Sequence, residues 1–168
     1  MPSKEHRTQT PDSERQALEG FLDSQREAII RKIEGLVDAT ARQAPTASAL
    51  SLLGIVKHCG LWEQRWLQVV VAGRRFPGEW PEGNYTGVAE DFVVGEHDTV
   101  EHWVAYYREQ IEQSRAVAAS MSLDTPVMWP HLIEGDLRYV LLHLIEETAR
   151  HAGHADIIRE TLDGSVGI

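Results

Sequence analysis

The stretch "DLRYVLLHLIEETARHAGHADIIRETLDG", residues 136–164, decides how this chain is read. Asp136 is a good helix N-cap, since a short side-chain oxygen there takes a free amide of the first turn. Gly164 suits the stop at the other end. An α-helix turns by about 100° per residue, so with His143 at zero, Val140 and Ile158 fall near about 60° and Leu144 and Leu162 near about 100°. On the same scale Glu147 falls at about 40°, His151 at about 80° and His154 at about 20°. Glu147 and His151 therefore point where the leucines point, with His143 and His154 at the edge of that sector. A buried, unpaired carboxylate costs on the order of several kcal/mol, so it needs a proton or a cation. A histidine one turn away is a natural co-ligand. The spacing is Glu-x-x-x-His, which is neither the His-Glu-x-x-His of zinc proteases nor the Glu-x-x-His of di-iron bundles.

A third ligand must come from another helix. In "SALSLLGIVKHCGLWEQRWLQVVVAG", residues 48–73, His58 shares a face with Ile55, Trp62 and Val69, all within about 60° of it. Two histidines and one carboxylate make a catalytic zinc set with an open position; they equally match a non-haem iron triad. The plain alternatives stand beside this: His58 as a hydrogen-bonded core histidine, and Glu147 with His151 as a buried pair. Cys59 points about 100° away from His58 and reads as a small core residue. Trp62 and Trp66 read as core packing. Arg74 and Arg75 read as turn residues that could meet an anionic ligand, and His97, His102 and His131 as surface.

Outward from these two segments the chain reads as helices. A three- and four-residue apolar pattern runs from Ser13 to Arg42 through Leu18, Phe21, Leu22, Ile29, Ile33, Leu36 and Val37. Pro45 breaks it, and Thr46 or Ser48 can cap the second helix, which runs to Ala72. Gly54 and Gly60 lie inside that helix and weaken its continuity. Residues 73–98, with "GRRFPGEWPEGNYTG", read as a loop holding at most one short turn. Asp98 or Thr99 starts a third helix to Ser120, and Asp136 starts the fourth, to Leu162. The expected fold is all-α, a four-helix bundle in up-down-down-up order, with a long crossover between helices two and three. Residues 1–12 read as a flexible N-terminus and 13–164 as a single domain.

The net charge of −10 over 168 residues repels phosphate backbones and offers no polybasic patch, so neither nucleic acid nor a membrane surface is an expected partner. One cysteine makes no internal disulfide, and "MPSKEHRTQT" has no apolar leader core, so a cytoplasmic setting is expected.

"KHCGLWEQRWL", followed some way on by "LLHLIEETARHAGHADIIRETLDG", resembles the DinB-like superfamily over residues 15–164. The branch most like it contains the metal-binding domain of mycothiol-dependent maleylpyruvate isomerase. That resemblance implies a four-helix bundle with zinc or nickel at its centre. Carried over position by position, the ligands are His58, Glu147 and His151; His154 stands where many relatives have glutamine and is not carried over. Relatives use mycothiol or bacillithiol as cosubstrate. The isomerase also has a C-terminal domain contributing to its active site; this sequence ends at Ile168 without one, which speaks against isomerase activity. The reading is a metal-dependent thiol S-transferase acting on a small-molecule thiol and an electrophile. Zinc is the expected metal, with nickel or iron as alternatives. His143 is a candidate proton relay. The competing readings are a non-catalytic, stress-related metal-binding bundle, a homodimer in that reading, and a non-haem iron enzyme using the same three residues.

Overall fold

Ser13, Ser51, Thr99 and Asp136 each sit in extended backbone and accept a hydrogen bond from the amide three residues ahead. Each thereby satisfies one of the amides that a helix start leaves bare, and these four caps open the long helices. In the computed structural model, which describes residues 13–75, 85–129 and 133–167, these helices are α1 (Glu14–Ile33), α3 (Leu52–Glu63), α4 (Val100–Ala119) and α5 (Leu137–Asp163). A short α2 (Asp38–Ala41) lies between the first two. The chain is all-α, with no strand among the described residues beyond one isolated bridge between Pro126 and Asp136.

Several boundaries differ from the periodicity. The first helix stops at Ile33 rather than Arg42. Gly35 adopts φ +79, which turns the chain out of the helix, and Val37 is left 67% exposed. The second helix is capped by Ser51, not by Thr46 or Ser48. It widens after Glu63 into a π-helical segment, Gln64–Val71. There the 100° rule fails, and every residue from Trp66 to Val71 is buried. The second-to-third connection contains a 3-10 helix, Tyr85–Phe92, longer than the single turn expected. Residues 1–12, 76–84, 130–132 and 168 lie outside the described residues, and with them the N-terminus expected to be flexible, nine residues of the crossover, and His131.

Gly54 and Gly60 do not weaken α3; they let neighbours close in. A Cβ on Gly54 would stand 2.6 Å from the carbonyl oxygen of Phe92, and one on Gly60 2.9 Å from the Tyr106 ring. The crossover and α4 therefore pack directly on the α3 backbone.

Polar contacts set the helix directions. Arg138 pairs with Glu14 at one end and Asp156 with Lys32 at the other, so α1 and α5 run the same way. Lys57 meets Asp98, Gln64 meets Tyr106 and Gln68 meets Gln110, so α3 and α4 also run together. Between α1 and α3 the direction is opposite. Ile29, Ile30 and Ile33 share one apolar cluster with Leu52, Leu53 and Ile55, while Leu18 and Leu22 share another with Trp66, Leu67 and Val70.

Those two clusters divide the core along its length. Between them the helices carry buried polar residues: Arg26 on α1, His58 and Glu63 on α3, Ser114 on α4, and Thr148 and His151 on α5. Arg26 and Glu63 form a two-pronged ion pair, 2.8 and 2.7 Å, that satisfies both charges inside the bundle.

Candidate metal centre

His58 comes from the middle of α3 and His151 from the middle of α5, both buried, and Glu147 lies one turn before His151. One candidate ligand atom from each residue lies within 4.8 Å of the other two. The His58 and His151 rings meet edge-on with centroids 4.8 Å apart, and His151 Nε2 stands 3.8 Å from Glu147 Oε2. Phe92, from the end of the crossover, stacks on His58 at 4.0 Å and 17°, and Trp62 flanks the same ring at 5.4 Å. Together with His143 and Arg150 these residues line a cleft of about 350 Å³.

Burial holds both histidines in the neutral form that binds metals. His58 is pushed down to about 3, by desolvation first and then by His151 and Arg65. His151 is pushed down to about 4 by burial, against the pull of Glu147. The Nδ1 atoms of both are buried without a hydrogen-bond partner. Two neutral imidazoles and a carboxylate with ligand atoms this close together, and with ring nitrogens left without hydrogen-bond partners, fit a divalent cation.

The carboxylate departs from the expected setting. Glu147 is only half-buried, with its side chain 27% exposed, and Arg150 pairs with it while also bonding Glu146 at 2.9 Å. It is not a charge surrounded by histidines alone. Since α5 lies at the bundle surface, the edge of its inward sector still reaches water.

The other singled-out residues fall as follows. His143 lines the cleft with its ring 4.5 Å from Trp66, and burial lowers its pKa. His154 lies 5.5 Å from His151, outside the three-residue cluster. Cys59 is buried and its thiol is pushed well up, so it is no nucleophile. Trp66 belongs to the core, but Trp62 is a cleft wall. Arg74 is tied to Gln68 and Gln113, and His97 and His102 are exposed. Missing from the sequence reading were Asp91 and Phe92; Arg65, which could have paired with Glu147, is bound to Asp91 instead. Arg65 binds Asp91 through both terminal guanidinium nitrogens, and Asp91 is buried beside His58. Both Asp91 and Phe92 lie in a segment without helical period, which left no pattern to find them by.

The family model of the mycothiol-S-transferases matches residues 17–164. The chain belongs to the mycothiol-S-transferase family. The matched span runs from α1 to the end of α5 and includes all three clustered residues. Among solved structures, the chain is similar to a conserved protein of Enterococcus faecalis, with 16% identity and a TM-score of 0.63, covering 92% of this chain and 100% of that one. At that identity the likeness speaks for the fold. No curated protein matches. Among the described helices of this mycothiol-S-transferase family member, none is long and apolar enough to cross a membrane.

Proposed function

We propose that the chain is a metal-dependent thiol S-transferase that uses mycothiol, in the cytoplasm, with His58, Glu147 and His151 as the metal ligands and zinc as the metal. The observation that carries this reading is the convergence of those three residues on a cleft of about 350 Å³, in a chain of this family. When bound, a divalent cation there would draw charge from the cosubstrate thiol and supply thiolate at neutral pH. His58 and His151 stay unprotonated and free to coordinate. Glu147 contributes one negative charge, offset in turn by Arg150. Trp62 and Phe92 shape an apolar wall that limits water around the thiolate. The thiolate sulfur forms its bond to the electrophilic carbon as the leaving group departs with its electron pair. His143, at the cleft edge, is placed to pass on the thiol proton. No side-chain nucleophile is required.

The test is elemental analysis of purified protein, with a thiol-consumption assay using mycothiol and a generic alkylating electrophile. We expect about one zinc per chain, from the single three-ligand set, and transfer that stops on chelation. His58→Ala, Glu147→Ala and His151→Ala should each lose most of the zinc, while His97→Ala keeps it. Full stoichiometry in all four variants would reject the ligand assignment. Stoichiometric metal without any transfer would favour the non-catalytic bundle, and coloured, iron-loaded protein the oxygen-chemistry reading.

A further inference from the structure

We propose that Asp91 is a positioning residue for His58: it accepts the Nδ1–H of the imidazole and so turns Nε2 toward the metal. This rests on the reading of His58 as a ligand. A neutral imidazole carries one N–H, and coordination through one nitrogen places that hydrogen on the other. The hydrogen-bearing nitrogen then lies inside the protein, where an N–H without an acceptor is costly.

His58 Nδ1 is buried with no hydrogen-bond partner, and Asp91 Oδ2 faces it at 4.0 Å. Asp91 itself is 7% exposed. Arg65 holds the carboxylate from behind, with Nη2 at 3.1 Å from Oδ1 and Nη1 on Oδ2. A carboxylate oxygen accepts more than one hydrogen bond, so Oδ2 can serve both Arg65 and His58. The adjacent Phe92 stacks on the face of the same ring at 17°, which fixes the imidazole plane. Consecutive crossover residues thus grip His58, one on its face and one at its edge. Closing the remaining gap of roughly 1 Å to hydrogen-bond distance needs only a small swing of the Asp91 side chain. With Nδ1 committed to Asp91, coordination beside His151 and Glu147 would use the other ring nitrogen, Nε2. Ligating histidines commonly donate their second nitrogen to a carboxylate in this way, and loss of that partner weakens metal binding by about 10–100-fold.

The experiment is histidine 15N NMR of the full chain, metal-free and zinc-loaded, for wild type, Asp91→Ala and Asp91→Asn. Wild-type His58 should be the Nδ1–H tautomer without metal, and its Nε2 should shift on adding zinc. Asp91→Ala should give a tautomer mixture. In Asp91→Asn, Arg65 retains the amide oxygen, leaving the NH2 toward His58. The ring should then invert to Nε2–H, and zinc affinity should fall by about 10–100-fold. The His151 resonances serve as a check on folding. A wild-type His58 found as Nε2–H, or variants with unchanged tautomer and zinc affinity within twofold, overturns the role of Asp91. Zinc that leaves both His58 nitrogens unmoved overturns the ligand reading and this proposal together.

Discussion

His58 and His151 are imidazoles that water would protonate near pH 6.5, held by burial to about 3 and about 4. With folded-state values below the unfolded ones, the unfolded chain takes up protons first as the pH falls. The stability they allow is therefore fully present above about pH 6.5 and is lost as the pH drops toward 4 and then 3. For metal-free protein, a urea midpoint that is flat from pH 8 to 6.5 and then declines is expected. His151→Gln should flatten part of that decline, and a wild-type midpoint unchanged down to pH 4.5 would contradict the burial of both rings. Which residues could meet was partly legible in the sequence: helical spacing puts Glu147 and His151 on one face. The setting of each was not. Arg150 follows Glu147 by three residues, and only the side-chain conformation decides that it turns back to pair with it.

The crossover and α3 act as one unit because Gly54 lets the Phe92 carbonyl press on the α3 backbone. The neighbouring residues fasten the same junction. Lys57 donates to the Val93 carbonyl and pairs with Asp98, Arg42 donates to the carbonyls of Gly95 and Glu96, and Trp103 donates to Asp98. A Cβ at Gly54 meets backbone rather than a yielding side chain, so Gly54→Ala should push the segment outward. The expected cost is about 1–3 kcal/mol in a denaturant melt, with loss of the Phe92 ring-current shift on His58. An unchanged shift would mean that the stack does not depend on this contact. From sequence alone Gly54 and Gly60 look like flaws in a helix, because propensity scores a residue without its neighbours.

Across the whole molecule, a polar layer lies between two apolar clusters, and it serves two ends. On one side Arg26 and Glu63 tie α1 to α3; on the other His58, Glu147 and His151 open to the cleft. Arg26→Met leaves Glu63 charged and unpaired in the core, and should cost about 3–5 kcal/mol in chemical denaturation, more than most single changes. Pairing Arg26→Met with Glu63→Leu should recover most of that loss. Removing the metal should also lower the melting temperature, since a ligand that binds only the folded chain adds to its stability. Because Arg150 already compensates Glu147, Glu147→Gln should narrow the gap between metal-loaded and metal-free melts chiefly by weakening the loaded form. A wild-type melt that does not move after verified metal removal would reject the buried site.

The sequence by itself determined the all-α class, the last helix with its cap and stop, and the apolar faces that carry His58 and His151, because capping and the 3.6-residue period act within a few residues. Tertiary structure alone decided the close seating of the crossover and α4 on α3, the buried Arg26–Glu63 pair and the placing of Asp91 and Phe92 against His58. Each of these depends on what a distant segment brings to the same point: a carbonyl above Gly54, a ring above Gly60, a guanidinium facing a carboxylate 37 residues away. Local periodicity carries no term for such meetings, so they become visible only once the helices are packed.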